Sequence, residues 1–293
     1  MVVFSNSVKI MNHIVVTGVS SGIGQAVAVE LLSRGYSVFG SVRKEEDAGQ
    51  LVSDFPSSFT PMLFNVTDNE QIKRAVQQVS AELSRDGLYG LVNNAGISLP
   101  GPLSEIQHSM MQRHLDVNVM GIFNVTRAFL PFLQGKSPGR IVNMSSTSGR
   151  IALPMMGAYA ASKHAVEAIS DAWRRELMLF GVDVSVVQAG PIRTPIWDKA
   201  GETYNECPYP TYSEVIDRID LEEFKQHALP PGHVARVIRK AIEAKRPKTR
   251  YVVCGERLKY WTLPRLLPDR WLDRLIANSM GLCKTESKRH LRN

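Results

Sequence analysis

The sequence has few cysteines and no long apolar segment. Its three cysteines, Cys207, Cys254 and Cys283, are widely spaced and form no C-x-x-C pair, so neither a disulfide framework nor a zinc cage is predicted. No run approaches the roughly 18 to 20 apolar residues that a membrane-spanning helix needs. Residues 1–12 have neither the basic start nor the sustained apolar core of a signal peptide. We therefore expect a soluble, cytoplasmic protein without a bound metal, in which residues 1–12 form a flexible lead-in.

The main part of the chain also lacks an excess of positive charge. The net charge of +7 comes from 35 Lys and Arg against 28 Asp and Glu. Residues 1–235 hold 19 basic and 23 acidic side chains, whereas residues 236–293 hold 16 and 5. The basic excess therefore belongs to the C-terminal part, and it does not indicate nucleic-acid binding by the main fold.

Short β-branched runs alternate along the chain with segments of helical period. This alternation predicts an α/β fold, a doubly wound parallel sheet of about seven strands with helices on both faces. Strands are predicted at 14–17, 38–39, 62–64, 88–92, 140–143, 182–187 and 251–253. Helices are predicted at 25–32, from the N-cap Asp68 to about Arg85, and at 106–132, 158–180 and 234–244. The interpretation is one domain over residues 13–255, followed by a basic amphipathic segment over residues 256–293.

A glycine-rich turn, Thr17 to Gly24, joins the first predicted strand to the first predicted helix. Doubly wound folds bind a dinucleotide at this place, because glycines let the backbone approach a pyrophosphate and the helix N-terminus supplies N–H donors. The residues predicted to surround the phosphates are Gly18, Ser20, Ser21, Gly22, Ile23 and Gly24. The same stretch fits G-x-S-x-G, which leaves a serine hydrolase using Ser20 as an alternative, although that elbow needs several strands before it.

Tyr159 and Lys163 stand four residues apart, hence on one face of a predicted helix. Ser146 lies at the carboxyl end of the fifth predicted strand, the edge where open α/β sheets bind ligands. A free phenol has a pKa near ~10, and we expect the Lys163 ammonium to lower the pKa of Tyr159 toward the neutral range. The three side chains are therefore predicted to exchange a proton with an alcohol or carbonyl oxygen.

In their order and spacing, these motifs resemble the short-chain dehydrogenase/reductase family, whose fold is of the Rossmann type. The resemblance rests on the glycine turn, Asn93–Gly96, Asn118, Ser146, Tyr159 with Lys163, and Gly190-Pro191 with Thr194. It implies an oxidoreductase acting between a nicotinamide and a carbonyl or secondary alcohol. Tyr159 would be the acid/base, Lys163 would also hold the nicotinamide ribose, Ser146 would bond the reacting oxygen, and Asn118 would hold a relay water. The alternative is a dinucleotide sensor without turnover, against which the intact catalytic residues argue.

The resemblance also implies a set of cofactor contacts beyond the glycine turn. They are Asn65, Val66, Asn94, Ala95, Gly96, Tyr159, Lys163, Pro191, Ile192 and Thr194. The second strand lacks, at about Val42, the acidic residue that selects NAD(H), whereas Ser41 and Arg43 suit a 2′-phosphate. The predicted cofactor is NADP(H), with NAD(H) as the alternative, because Ser21 replaces a base that many NADP-using relatives carry.

Aromatic and apolar side chains gather on the predicted substrate side. A lid is predicted at about residues 191–226, and the residues predicted to line the substrate are Leu153, Met156 and Trp197. Together with the pattern around the second strand, they resemble the retinol and steroid dehydrogenase side of the family, which implies a lipophilic substrate. The helices at 106–132 and 158–180 resemble those through which the family forms homodimers or homotetramers. The segment at 256–293 fits a membrane surface, the substrate mouth, a partner subunit or its own domain.

Overall fold

The computed structural model describes residues 12–83, 87–134, 138–197, 209–216 and 228–282. Seven parallel strands form one sheet in the order β3-β2-β1-β4-β5-β6-β7. The strands are β1 His13–Val16, β2 Ser37–Val42, β3 Phe59–Leu63, β4 Leu88–Asn93, β5 Gly139–Ser146, β6 Val182–Ala189 and β7 Arg250–Val253. The predicted fold class is confirmed. The strand order reverses between β1 and β4, the place where doubly wound sheets open a crevice for a ligand.

Helices cover both faces of this sheet. The helices within the described residues are α1 Gly22–Leu32, α2 Gly49–Asp54, α3 Asn69–Glu82, α4 His108–Leu115, α5 Gly121–Leu133, α6 Gly157–Glu176, α7 Ser213–Ile216, α8 Pro231–Glu243 and α9 Asp269–Ser279. As the sequence predicts, Asp68 caps α3, because its carboxylate accepts from the backbone N–H groups of Glu70 and Gln71.

Two apolar cores, one on each face, hold the layers together. On one face, Val27 and Leu31 of α1 and Ile238 of α8 pack against β1 and β2. On the other face, α3, α5 and α6 pack around Phe129 and Val166. The strands are buried along most of their length, because helices cover both faces of the parallel sheet.

The single helix predicted at 106–132 is wrong in one respect. A π-helical turn, Asp116–Met120, separates α4 from α5, and the N–H of Gly121 donates to the carbonyl of Asp116, five residues earlier. A π turn continues the direction of the helix. The apolar periodicity of the sequence therefore continues through it and does not mark its position. The predicted helix at 158–180 is α6 followed by a 3-10 turn, Leu177–Phe180, which ends at Gly181 in the left-handed region.

Other parts of the prediction fall outside the described residues. They are the lead-in up to residue 11, Arg85, most of the predicted lid, and the last eleven residues of the C-terminal segment. Across the described ranges, no helix combines the length and the apolar character that crossing a bilayer requires.

Candidate active site

The glycine turn is tied to the end of the neighbouring strand β2. The N–H of Gly18 donates to Oγ of Ser41 over 2.9 Å, and the N–H of Val19 donates to the Ser41 carbonyl over 3.0 Å. Gly18 has a φ of +71°, which strongly favours glycine. A Cβ at Gly24 would collide with the carbonyl oxygen of Gly18. The sequence therefore places glycine where the chain turns sharply and where α1 packs directly on β1.

The start of α1 fits the phosphates of a dinucleotide. Ser21, the residue before the helix, makes no side-chain cap, and the first turn carries no acidic residue. The first N–H groups of a helix have no partner within the helix, and the helix dipole places positive charge beside them. This end of α1 lies at the carboxyl edge of the sheet, beside the crevice between β1 and β4, so Gly22, Ile23 and Gly24 can present N–H groups to an anion.

Asn94 and Ala95 support the turn from the end of β4. The backbone N–H groups of both residues donate to Oγ1 of Thr17, and Nδ2 of Asn94 donates to the carbonyls of Thr17 and Gly18. Both hydrogens of the Asn94 amide are thus used inside the protein. Asn94 was predicted to contact the cofactor. The donors of its side chain hold the glycine turn in shape.

Ser146, Tyr159 and Lys163 meet at the carboxyl end of β5. Oγ of Ser146 accepts from the N–H of Ser148 over 3.1 Å, and its side chain is also hydrogen-bonded to the Tyr159 hydroxyl. Nζ of Lys163 donates to the Met144 carbonyl over 2.9 Å and lies 5.7 Å from the centre of the Tyr159 ring. The structure thus brings together the three side chains that the sequence singles out.

The expected lowering of the pKa of Tyr159 by Lys163 is not found. Burial raises the pKa of Tyr159 above its ordinary value, and the hydrogen bond from Ser146 opposes that effect only in part. Burial likewise lowers the pKa of Lys163 to about 8, while the Glu167 carboxylate acts in the opposite direction. Burial disfavours the charged form of both groups, so desolvation outweighs the attraction that the sequence argument considered. The phenol therefore holds its proton at neutral pH.

Asn118 lies in the π turn and is completely buried. Its Oδ1 accepts from the N–H of Ile97, while its Nδ2 donates to the Ile97 carbonyl and to Oγ of Ser162. A Cβ built at Gly96 would lie 3.1 Å from Oδ1 of Asn118 and 3.7 Å from Nζ of Lys163, which places the three residues side by side. Both amide hydrogens of Asn118 are donated within the protein. The Asn118 side chain therefore connects the loop after β4 to the helix α6.

Sequence reasoning missed His114, a buried side chain of α4. Its Nε2 accepts from the N–H of Leu99, and its Nδ1 lies 2.9 Å from the Met110 carbonyl. Its ring meets the Tyr159 ring edge to face, with 6.4 Å between the centroids. Burial lowers the pKa of His114, so the imidazole is neutral, with Nδ1 as the donor. A lone histidine in a helical pattern gives no signal for this contact.

Glu167 is a second residue that the sequence did not single out. It lies one helical turn after Lys163 and is buried, with Gln188 donating to Oε1 over 2.8 Å. Its Oε2 is 2.8 Å from Nε of Arg250 and 3.4 Å from Nη2 of Arg150. The i, i+4 spacing to Lys163 is visible in the sequence, but the two arginine partners come from distant elements. Glu167 therefore places a carboxylate close to Lys163, and its negative charge is balanced by Arg150 and Arg250.

The remaining predicted residues follow the carboxyl ends of other strands along the same edge of the sheet. Arg43 directly follows β2 and is exposed, whereas Ser41 is buried and holds the glycine turn. Oδ1 of Asn65 accepts from the N–H of Thr67 within its own turn, and Val66 packs against Gly121. Thr194 lies beside Gly22, close enough that a Cβ there would approach the Thr194 methyl to 3.0 Å.

The predicted substrate-lining residues differ in their exposure. Nε1 of Trp197 donates to the carbonyl of the buried Ile192 over 2.8 Å. Leu153 is exposed and Met156 is half-buried, whereas Met155 between them is buried with a φ of +66°. A non-glycine residue in the left-handed region is strained, and such strain is frequent at binding sites. The 153–156 loop thus directs Met155 inward and leaves Leu153 exposed.

The fold and the site together define a dinucleotide-binding oxidoreductase. The sequence model described as short chain dehydrogenase matches residues 12–205, and the chain belongs to this family. The chain is 39% identical over 283 residues to the NADPH-dependent 3-dehydrocapnine reductase of Ornithobacterium rhinotracheale, covering 94% of this chain and 100% of that protein. It is 34% identical over 288 residues to retinol dehydrogenase 7 of Rattus norvegicus, covering 87% and 86%.

A solved structure is similar over nearly the whole chain. It is a short chain dehydrogenase from Burkholderia cenocepacia in complex with NADP, with a TM-score of 0.69 and 26% sequence identity, covering 92% of this chain and 98% of that one. The chain is therefore an oxidoreductase of the short-chain family acting on CH–OH or C=O groups. This membership favours the oxidoreductase over the serine hydrolase that G-x-S-x-G had left open.

Proposed function

We propose that the protein is an NADP(H)-dependent reductase of a lipophilic carbonyl compound, with the alcohol as product. The observation that carries this proposal is the meeting of Ser146, Tyr159 and Lys163 beside the glycine turn. A protonated phenol is the form that reduction consumes, and burial keeps Tyr159 protonated. A dinucleotide sensor would have no use for this combination.

Each side chain has a role that its contacts allow. Tyr159 donates its hydroxyl proton to the carbonyl oxygen of the substrate, and Ser146 donates a hydrogen bond to the same oxygen. Bound NADPH supplies the hydride. Lys163 would stabilise the phenolate with its ammonium and, with the dinucleotide bound, would hold the nicotinamide ribose. Backbone groups fix both ring nitrogens of His114, so its imidazole has one orientation. This ring packs edge to face on the Tyr159 ring and holds it in position.

The resemblance assigns a relay water to Asn118, and the contacts of its side chain indicate which part of the residue would hold that water. That amide is saturated by Ile97 and Ser162. A π turn interrupts the regular pairing of carbonyls with N–H groups four residues later. We therefore assign the relay water to the main chain of the Asp116–Met120 turn, and we assign positioning of the loop at Gly96 and Ile97 to the Asn118 side chain.

The choice of NADP(H) rests on the end of β2. No acidic residue stands where β2 ends, and Arg43 is exposed next to the turn that Ser41 anchors. A guanidinium binds a phosphate with two parallel hydrogen bonds. The name of the reductase from Ornithobacterium rhinotracheale, which specifies NADPH, supports the same cofactor.

A lipophilic substrate is supported by apolar side chains on the substrate side. Met155 and Ile192 are buried there, and Leu153 is exposed beside them. The similarity to a retinol dehydrogenase agrees with an apolar alcohol or carbonyl compound. The test is a screen of steroid, retinoid, fatty-aldehyde and small-ketone substrates with NADPH and with NADH, read from the absorbance of the reduced nicotinamide. We expect turnover of apolar carbonyls with NADPH; turnover confined to small polar ketones would contradict the substrate class.

The rate of reduction should depend on the protonation of Lys163. Because its pKa is lowered to about 8, the ammonium is present below that pH and lost above it. We expect kcat/KM for reduction to be level on the acid side and to fall about tenfold per pH unit above about pH 8. A pH profile of kcat/KM with a good carbonyl substrate measures this limb.

Glu167 allows a matched test of this dependence. Its carboxylate raises the pKa of Lys163, so Glu167→Gln should move the falling limb to lower pH while keeping the shape of the side chain. Asp171→Asn is the control. Asp171 pairs with the same Arg250 as Glu167, so this substitution removes an equal negative charge from that arginine. A limb that stays in place in Glu167→Gln, or moves equally in both variants, would contradict the role of Lys163.

We further propose a homo-oligomer in the cytoplasm. The half-buried Phe123 of α5 stacks on the buried Trp173 of α6 with 6.0 Å between the rings, and the exposed Arg127 lies over Phe123. Met178 and Leu179, in the 3-10 turn after α6, are strongly exposed. The exposed Arg127, Met178 and Leu179 suit a contact between copies of the chain, and the free thiol of Cys254 suits a reducing compartment.

A further inference from the structure

Helix α9 presents an apolar surface that no described residue covers. None of its residues is buried, and Trp271 and Leu275 are 66% and 57% exposed. Leu263 and Leu266, which precede the helix, are 50% and 75% exposed. Single exposed leucines are ordinary, but four such side chains within 13 residues, a tryptophan among them, are a local concentration of exposed apolar surface, called the patch.

The charges of α9 are sorted around the helix in relation to this patch. With 3.6 residues per turn, Trp271 and Leu275 form one stripe, and Arg270 and Arg274 form the stripe beside it. The acidic residues, Asp269 and Asp273, lie on the opposite side of the helix from Trp271 and Leu275. The exposed apolar stripe is therefore bordered by positive charge and kept away from negative charge.

The helix is attached to the body at a defined place. Trp261 is only 4% exposed, and Arg265 lies over its ring at 4.7 Å. The segment begins just after β7, where the N–H of Gly190 donates to the Val253 carbonyl. All strands are parallel, so the segment leaves the sheet at the same edge that carries Ser146 and the glycine turn.

The sequence of the remaining chain narrows what can cover the patch. Residues 283–293 contain five basic residues, His290 among them, and a single leucine, so they add positive charge and little apolar surface. Residues 1–11 are more apolar and are the one other terminal stretch that could occupy the patch. Among the described residues, no acidic side chain forms an ion pair with Arg270 or Arg274, which leaves both guanidinium groups available to an anionic surface.

We propose that α9 docks on an anionic lipid membrane, with Trp271 and Leu275 in the interface and Arg270 and Arg274 on the headgroups. A helix with an apolar stripe bordered by arginines lies in the plane of such a surface, and tryptophan prefers that depth. Docking there brings the substrate edge of the sheet close to the lipid. This inference is independent of the reductase activity.

The test is flotation of the full chain with vesicles of phosphatidylcholine alone and with added phosphatidylserine. We expect binding to the anionic vesicles only, and loss of that binding at high salt. Arg270→Gln with Arg274→Gln should lower the partition coefficient about 25-fold, at roughly fivefold for each arginine. Trp271→Ser with Leu275→Ser should abolish binding. Trp271→Phe should bind but lose the lipid-dependent blue shift of tryptophan emission.

Matched controls separate the stripe from charge and apolarity in general. Arg34→Gln with Arg74→Gln removes two exposed arginines elsewhere, and Val29→Ser with Val52→Ser removes two exposed apolar side chains of α1 and α2. Both should bind like the unaltered chain. Equal losses in these controls overturn the proposal. So does binding that appears only when residues 1–11 are removed, or an oligomer that Trp271→Ser with Leu275→Ser dissociates, because the patch would then belong to the chain itself.

Discussion

Replacing Tyr159 by phenylalanine should lower kcat for carbonyl reduction by about 1000-fold, while the affinity for NADPH changes by less than about threefold. The hydroxyl is the proton donor next to Ser146, and phenylalanine keeps the ring that His114 and Lys163 contact. The fold and the ammonium therefore remain in place, and only the exchangeable proton is lost. Steady-state kinetics and NADPH titration, followed by nicotinamide fluorescence, measure the two quantities separately.

Tyr89→Phe is the matched control for this variant. Tyr89 lies near the amino end of β4, at the opposite edge of the sheet, and its hydroxyl donates to the Ile242 carbonyl over 3.4 Å. Loss of that hydroxyl should leave kcat within about twofold, since a single long, partly exposed hydrogen bond contributes little. If Tyr159→Phe retained the full rate, the proton would have to come from another group and the assignment would be wrong.

The fold was predictable because its signals are local. Each strand is a short β-branched run, and the cap at Asp68 and the turn glycines mark where elements begin and end. The π turn at Asp116–Met120 was not predictable, because it changes the hydrogen-bond pattern without changing the apolar period. The apolar spacing of α9 was visible in the sequence. Only the structure shows that no described residue covers this stripe.

The site was predictable in its residue types and not in its electrostatics. Ser146, Tyr159 and Lys163 stand at recognisable spacing, so their meeting follows from the strand and helix that carry them. The pKa of Tyr159 does not follow, because its direction depends on how far burial outweighs the ammonium. His114 and Glu167 are set by contacts with Leu99 and Arg250, which lie 15 and 83 residues away.

Arg43→Gln should reduce the preference for NADPH over NADH, measured as the ratio of the two kcat/KM values, by about 100-fold. A hydrogen bond to a charged group is worth about 1.5–3 kcal/mol, and a guanidinium can make two to one phosphate. NADH has no 2′-phosphate, so its kcat/KM should stay within a few-fold. The loss should therefore fall on KM for NADPH, because the proton-transfer residues are untouched.

Arg34→Gln provides the control for the charge of Arg43. Arg34 is an exposed arginine just after α1, and α1 starts at the glycine turn, so Arg34 lies at the other edge of the sheet. The same change of net charge there should leave the ratio unaltered. Glu45, Glu46 and Asp47 follow Arg43 closely and would repel a 2′-phosphate once the guanidinium is gone, which strengthens the expected loss. Equal kcat/KM values for NADPH and NADH in the unaltered chain would contradict the assignment of Arg43. Arg43 would then not contribute to binding of the 2′-phosphate that distinguishes the two cofactors.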